Sequence, residues 1–199
     1  GPEEPSGVKK DKGCRWAMGF LIKDRQGVKE DLQGLSLVSS LLFDFPTSPF
    51  FERFISSGQA SGFGNSCGFD KQCHFPVFTI SLKNVSESEE DRASIHSQVL
   101  DLLASLTSEQ FDAAMIESLL HQLELSIRQR PANFGIALLS SLSRSFAYSN
   151  DHHVSLTLNV SEGLTKLREK LKAGNYLQSL INKYLLHNPS RLDLTMLPR

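Results

Sequence analysis

The motif with the clearest chemical potential is His121-Gln-Leu-Glu124, a histidine and a glutamate that a helix would place on one face. Zinc peptidase helices carry two histidines on one face, together with a glutamate that acts as general base. Here Leu125 stands where His-x-x-Glu-His requires its second histidine, and Gln122 stands where His-Glu-x-x-His requires glutamate. One histidine cannot hold catalytic zinc by itself. We therefore predict that His121 lies on the polar face of an amphipathic helix, and we expect no catalytic residue and no metal ligand in this chain.

The other histidines and cysteines that could bind a metal do not have the spacing of a known zinc site. His152 and His153 are adjacent, and adjacent residues rarely converge on one ion. Cys67, Cys73 and His74 lie close together in the sequence, but their spacing is not that of a zinc knuckle. Cys14 makes the number of cysteines odd, at three. We therefore predict three reduced thiols and no structural disulfide.

The glycine- and serine-rich segment 58–68 contains Gly64-Asn-Ser-Cys-Gly68, which matches the Gly-x-Ser-x-Gly pattern of a hydrolase nucleophile elbow. An elbow needs a strand before the serine and a helix after it. Here a loop precedes Ser66 and a predicted strand follows it, so we interpret the segment as an ordinary loop. The segment also lacks the Gly-Lys-Ser/Thr sequence of a phosphate-binding loop.

Composition narrows the class of protein without naming a function. The chain has 199 residues, of which 40% are hydrophobic, and a formal net charge of -1. This length and apolar content allow a hydrophobic core and exclude a wholly disordered chain. The balanced charge gives no electrostatic reason to expect nucleic acid or an anionic membrane as partner. No apolar run approaches the roughly 20 residues of a membrane-spanning helix, so we expect neither nucleic acid nor membrane as partner.

Apolar periodicity predicts a mixture of strands and helices. Residues 14–23, 75–83 and 191–197 alternate in the manner of strands. Helical spacing of apolar residues occupies the stretches near 31–43, 95–103, 111–127, 134–146, 164–171 and 176–185, whereas 154–160 fits either a strand or a helix. We predict an α+β fold with one mixed or antiparallel sheet and helices packed mainly on one of its faces.

The two ends of the chain suggest how it is organised. Gly1-Pro2 resembles the scar of a removed tag, and the residues up to Lys12 are polar, so we interpret 1–13 as a tag remnant and flexible leader. Residues 14–199 are predicted to form a single domain. A chain that stops directly after a strand also suggests a domain cut from a longer polypeptide.

Short capping patterns predict where several helices begin. Ser48 followed by Pro49 predicts a cap for a short helix over 50–56. Ser86-x-x-Glu89 and Thr107-x-x-Gln110 have the spacing of capping boxes, and each precedes an apolar helical stripe. We therefore expect Ser86 and Thr107 to cap the two long helices that follow them.

Three stretches of the sequence together resemble one known protein family. The first combines Leu35-Ser-Leu-Val-Ser-Ser-Leu-Leu with Thr47-Ser-Pro-Phe-Phe-Glu-Arg-Phe-Ile-Ser-Ser-Gly58. The second is Ile116-Glu-Ser-Leu-Leu-His-Gln-Leu-Glu-Leu125, followed by Asn133-Phe-Gly-Ile-Ala-Leu138. The third is the closing Leu192-x-Leu-x-Met196-x-Pro198. Together these stretches resemble the presequence-protease and falcilysin branch of the pitrilysin/insulysin zinc metalloproteases. They occur in the family's order and extend over residues 14–199.

The resemblance implies that this chain is one domain of a larger enzyme. Members of the family contain four related α+β domains in two halves that close around a peptide chamber, and only the first carries zinc. This chain resembles the second, non-catalytic domain. The family also has a different turn where residues 146–153 stand here, and it suggests a helix at 154–160.

Several properties of the parent protein follow from the same resemblance. The parent would be a zinc metalloendopeptidase that degrades short unfolded peptides, with zinc in its catalytic domain and no cofactor in this fragment. The partners of this domain would be the catalytic domain and the C-terminal half of the same chain, with peptide as the substrate of the parent. The resemblance implies an organellar location of the mitochondrial or plastid type; apart from the resemblance, we expect an intracellular protein.

Two other classes of function remain open at this point. The chain could be a stand-alone interaction module that binds a partner through an exposed apolar patch. It could instead be a hydrolase or metal enzyme that uses Ser66, Cys67, Cys73, His74 and His152. Zinc analysis, thiol titration and a serine-reactive probe would separate these possibilities.

Overall fold

A computed structural model describes residues 13–23, 25–28, 30–72, 74–129, 133–148 and 160–198. The strands in this part of the chain form one antiparallel sheet: β1 (Cys14–Leu21), β2 (Gly62–Phe63), β3 (Gly68–Asp70), β4 (Val77–Val85) and β5 (Arg191–Met196). β1 lies between β4 and β5, and both short strands pair with the outer edge of β4. The prediction that segments 14–23, 75–83 and 191–197 share one sheet is confirmed.

Strict alternation in the two central strands directs one set of side chains into the core. Trp16, Met18 and Phe20 of β1 are buried, and their registered partners in β4, which are Leu82, Ile80 and Phe78, are buried as well. Residues directly opposite each other in an antiparallel pair share a face. This face of the sheet is the one that the helices cover.

The helices form a second layer, most of them packed on the covered face, which confirms the predicted α+β architecture. Their bounds are α1 (Arg25–Val28), α2 (Leu32–Phe43), α3 (Glu89–Ser108), α4 (Ala113–Arg128), α5 (Phe134–Tyr148), α6 (Val160–Lys172) and α7 (Tyr176–Ile181). Two π-helical turns also occur, Phe51–Ser56 and Asn182–Leu186, and the second continues α7. Buried leucines of α2, α3 and α7 fill the space above the strands.

The predicted caps of the two long helices are wrong, although the helices exist. α3 begins after Ser88, where the backbone is still extended, and the Ser86 hydroxyl accepts the Ser88 N–H in a local turn. Thr107 lies inside α3, and its hydroxyl donates to the Ala104 carbonyl. α4 is capped by Asp112, whose carboxylate accepts the Ala114 N–H at 2.9 Å. Hydroxyl side chains bond readily to nearby backbone groups, so a capping pattern alone did not fix these helix starts.

The predicted side-chain cap at Ser48 is also wrong. Its hydroxyl is buried and makes no hydrogen bond to a described residue, whereas its backbone carbonyl accepts the Glu52 N–H at 3.0 Å. The turn that follows is positioned instead by aromatic packing, with ring centroids of Phe50 and Phe54 5.8 Å apart and those of Phe43 and Phe50 5.1 Å apart. Burial of large rings contributes more to folding than one hydroxyl bond, so packing decides the geometry here.

The helix predicted near 134–146 is present as α5, but its apolar side chains do not enter the core. Ile136, Leu139 and Phe146 are 72%, 68% and 71% exposed. The ambiguous segment 154–160 and the predicted leader 1–13 lie outside the described residues, apart from Gly13 and Val160. Among the described helices, none combines the length and the apolar character that crossing a bilayer requires.

Candidate functional site

His121 and Glu124 lie on α4, and the glutamate forms an ion pair with a neighbouring helix. His121 is exposed, as predicted for the polar face of the helix. A carboxylate oxygen of Glu124 lies 3.4 Å from an Arg168 guanidinium nitrogen on α6, and the same guanidinium lies 3.1 Å from Glu117. The Glu124 carboxylate therefore contributes to an ion-pair bridge between two helices.

The residues of α4 do not fit a catalytic zinc ion. Zinc requires several convergent nitrogen, sulfur or oxygen ligands, and a catalytic site needs three protein ligands. Within the described ranges, no group of three or more histidine, cysteine, aspartate or glutamate side chains could hold a metal ion. His152, His153 and Cys73, which were weighed as metal ligands, lie outside those ranges. No catalytic step can be derived through a metal at this place.

Ser66 and Cys67 lie in a turn between β2 and β3, which is a strand–turn–strand arrangement and not the strand–turn–helix of a nucleophile elbow. Ser66 is exposed. Burial raises the pKa of the Cys67 thiol to about 11, so this group is protonated and weakly nucleophilic at neutral pH. Cys14 and Cys67 are both free thiols, and Cys14 is fully buried. His74 packs its ring against Phe75, with ring centroids 4.6 Å apart.

A densely bonded polar cluster surrounds Asp31, just before α2. The Tyr176 and Tyr184 hydroxyls each donate to this carboxylate at 2.9 Å. The Lys170 ammonium lies 3.3 Å from the same carboxylate, and the Lys183 ammonium lies 3.7 Å from it. The Asp31 side chain is only 14% exposed. The cluster joins the start of α2 to the end of α6, to α7 and to the π-helical turn that continues α7.

The electrostatics of this cluster favour an ionised Asp31. Burial by itself would raise the pKa of Asp31, but the hydrogen bonds from Tyr176 and Tyr184 and the charge of Lys170 together outweigh burial and lower it. Burial first, and then the hydrogen bond to Asp31, raise the pKa of the Tyr176 phenol. Both oxygens of the Asp31 carboxylate therefore have hydrogen-bond or ion-pair partners, and these contacts hold the helices together.

Sequence reasoning missed this cluster because it assigned both tyrosines to the apolar stripe of the last helix. Tyr176 and Tyr184 are eight residues apart and so share one helix face. A buried tyrosine hydroxyl requires a hydrogen-bond partner, which was the available signal. The identity of that partner, Asp31, is separated from Tyr176 by 145 residues and could not be read from local spacing.

Two surface depressions among the described residues are open, and their walls are more polar than apolar. One, with a volume of about 520 Å³, lies beside the N-terminus of α3 and the end of β4, and is lined in part by Gln59, Asp91 and Gln98. Gln59 donates to Gln98 at 3.2 Å, and Gln98 donates to Ser94 at 3.0 Å, so the amides already bond to each other and to a neighbouring hydroxyl. No chemistry follows from this depression.

Comparison with known proteins gives consistent results. No model of a known protein family matches the sequence. The chain is 34% identical over 182 residues to the mitochondrial presequence protease of Schizosaccharomyces pombe, which covers 92% of this chain and 18% of that protein. It is 32% identical to the mitochondrial presequence proteases of Gibberella zeae and Danio rerio, over 100% and 98% of its own length. The chain therefore spans about a fifth of the length of the curated relatives that it matches.

Two of the solved structures with the same fold are peptidase domains described as inactive. An inactive peptidase domain from Bordetella parapertussis superposes with a TM-score of 0.69 at 17% identity, covering 94% of this chain and 92% of that one. A peptidase M16 inactive domain from Pseudomonas fluorescens gives a TM-score of 0.63 at 14% identity, over 94% of this chain and 41% of that one. The resemblance drawn from the sequence is confirmed: this chain is homologous to one stretch of the presequence proteases, and it shares its fold with solved domains that are described as inactive peptidase domains.

Proposed function

We propose that this chain is the second, non-catalytic domain in the N-terminal half of a zinc metalloendopeptidase, and that residues 14–199 form this single domain. The observation that carries the proposal is its alignment, over 92% of its length, with 18% of a presequence protease. The size of that match, and the fold shared with a solved domain described as inactive, support the proposal that the chain is one domain of a peptidase. The alternative of a stand-alone interaction module is less well supported, because the relatives carry this stretch inside chains about five times longer.

The proposed role of the domain is to form part of a closed chamber for short unfolded peptides. Zinc and the residues that cleave the peptide bond belong, in this proposal, to the catalytic domain of the parent. A wall that excludes water and restricts the orientation of a bound peptide aids a reaction without contributing a catalytic residue. The ion pair between Glu124 and Arg168 of the neighbouring helix supports the proposal that this glutamate has a structural and not a catalytic role. The relatives are named as mitochondrial proteases, so we propose an organellar location for the parent.

Metal content and peptide cleavage by the 199-residue chain test the absence of catalysis. We expect substoichiometric zinc after exchange into zinc-containing buffer and no cleavage of an unfolded peptide that the longer parent protein degrades. One tightly held zinc per chain, lost on His121→Ala, would show that the domain is itself a metal site. Cleavage by the isolated chain would have the same meaning.

The longer parent protein tests the structural role more directly. His121→Ala should leave turnover per folded molecule close to that of the unaltered protein, because the side chain is exposed and has no assigned acid–base role. The matched control is Leu120→Ala, one residue away and 3% exposed, which should lower activity through loss of folded protein. A fall of about a hundredfold in turnover for His121→Ala at unchanged stability, the scale of a lost general acid or base, would contradict the proposal.

A further inference from the structure

The polarity of the edge strand β5 is reversed relative to the two central strands. In β1 and β4 the large buried side chains point to the helices, as in the registered pair Met18 and Ile80. In β5 the residue registered with Met18 is Asp193, which shares that face. The leucines and the methionine of this strand, Leu192, Leu194 and Met196, occupy the opposite face, which we call the open face.

The apolar side chains of β5 are exposed on the open face. Leu192 is 70% exposed, Leu194 is 52% exposed and Met196 is 56% exposed. An antiparallel sheet with one solvated face normally places polar residues on that face. A contiguous apolar surface with the opposite pattern is typical of an interaction site.

The register of β5 is held by specific contacts, so the reversal belongs to the fold. An Asp193 carboxylate oxygen lies 3.3 Å from a ring nitrogen of His96 on α3. Just before the strand, the Ser190 carbonyl accepts the Leu21 N–H at 2.9 Å, and the Asn188 side chain donates to the Leu21 carbonyl at 3.2 Å. A shift by one residue would turn every side chain of β5 to the other face and remove the Asp193–His96 contact.

The part of β1 that lies next to these side chains on the open face allows close packing by another apolar surface. The residues of β1 registered with Leu192 and Leu194 are Gly19 and Ala17, whose small side chains let a neighbour approach the sheet. Across β1, β4 and β5, the open face carries charge only at Arg15 and Lys83, which are registered with each other at one end. The centre of the open face is thus uncharged, and the large apolar side chains of β5 project from it beside small residues of β1.

We propose that the open face at β5 is the surface through which this domain packs against the rest of the longer polypeptide, with apolar side chains of that polypeptide covering Leu192, Leu194 and Met196. The inference rests on the proposed function, that the chain is one domain of a larger peptidase. About four-fifths of the length of the relatives lies outside the stretch that this chain matches, which supplies such a covering surface in the same molecule. A covalently linked partner meets this face at high effective concentration, so a modest apolar contact suffices.

Cysteine labelling on the two faces of β5 tests the proposal. Leu194→Cys places a thiol on the open face, and Thr195→Cys places a matched thiol on the next residue, on the other face and also exposed. In the 199-residue chain both thiols should react rapidly with a maleimide reagent, read by mass spectrometry of the peptide that contains them. In the longer parent protein, we expect labelling of Leu194→Cys to slow by about tenfold or more while Thr195→Cys keeps its rate.

Four results would overturn the proposal. Equal, rapid labelling of both positions in the longer protein would show that the open face stays exposed, and slow labelling of both would show that the strand is covered without preference for its apolar face. Protection of Leu194→Cys in the 199-residue chain that grows with protein concentration would identify a second copy as the occupant. Protection that appears only when peptide is added would assign the surface to the substrate.

The labelling result is independent of the test of the proposed function. Reaction of a thiol requires no catalysis, so an inactive or a zinc-binding fragment still yields a labelling ratio. Circular dichroism of each variant checks its folding, and Leu192→Cys, on the same face, repeats the measurement if Leu194→Cys disturbs the chain. Failure of the zinc and His121→Ala tests with a positive labelling ratio would refute the inactive-domain assignment and leave the interface in place.

Discussion

Replacing Asp31 by asparagine isolates the charge at the centre of the helix-joining cluster while keeping the shape of the side chain. The asparagine oxygen can still accept from one tyrosine hydroxyl, but its amide group cannot accept from the other. Hydrogen bonds to a charged group contribute about 1.5–3 kcal/mol each. The lysine ion pairs add little, because Lys170 and Lys183 are 33% and 54% exposed and Lys170 keeps Glu30 at 3.5 Å. We therefore expect Asp31→Asn to lower the free energy of unfolding by about 2–3 kcal/mol at neutral pH.

The pH dependence of this loss gives the prediction a definite sign. The pKa of Asp31 is lowered in the folded chain, so its contribution to stability is present above the unfolded pKa, which is about 3.9. That contribution is lost as the pH falls through the lower, folded pKa. The stability difference between the unaltered chain and Asp31→Asn should thus be constant near neutral pH and should shrink below about pH 4.

Urea unfolding of the 199-residue chain at pH values from about 7 down to about 3 measures both effects. The matched control is Asp101→Asn, the same chemical change at an exposed aspartate of α3. It should alter stability by no more than about 0.5 kcal/mol at any of these pH values. A loss for Asp31→Asn no larger than that of the control, or one that persists undiminished at about pH 3, would refute the role assigned to the cluster.

Three further predictions concern packing and thiol chemistry. Gly34→Ala should destabilise the chain by about 1–3 kcal/mol, because an added methyl group would lie 2.6 Å from a side-chain carbon of α7. Gly135→Ala, with nothing within 4 Å of the added group, should instead stabilise α5 by about 0.5–1 kcal/mol. Shifts of the urea midpoint in opposite directions for the two variants would confirm this pair. Leu120→Ala should cost about 2–5 kcal/mol and Leu123→Ala less, because Leu120 is 3% exposed and Leu123 is only partly buried; equal losses in calorimetry would contradict the burial assigned to them. Cys67 should react with a thiol reagent far more slowly in the folded chain than in urea at pH 7, because burial raises its pKa to about 11; equal rates would show that the thiol is accessible.

The caps show where local pattern is insufficient. Ser86 and Thr107 each have a glutamate or glutamine at capping-box spacing, yet Ser88 and Asp112 occupy the cap positions. Several hydroxyl and carboxylate side chains near a helix start can satisfy the same N–H groups at similar free energy. At α4 the Asp112 carboxylate makes such a bond, whereas at α3 the Ser88 side chain makes none, so the spacing of the residues did not identify the caps.

The lack of a second zinc-binding histidine after Glu124 was readable at the sequence level, because a zinc helix needs that histidine at a fixed place. Leu125 occupies that place, and no structure was needed to see it. The structure adds what Glu124 does instead, which is to bond Arg168 of α6 across 44 residues of sequence. Long-range partners of this kind leave no periodic signal.

The sequence by itself determined the strands β1, β4 and β5, the main helices and the α+β class, because alternation and helical spacing of apolar residues indicate which side of each element is apolar. It did not determine which face of the sheet the apolar side of β5 would take, nor that Tyr176 and Tyr184 would converge on Asp31. Those outcomes depend on strand order, on register and on helices brought together from distant parts of the chain. Only the tertiary structure decides them, because a side chain's partner is fixed by three-dimensional proximity and a periodic pattern specifies only its direction.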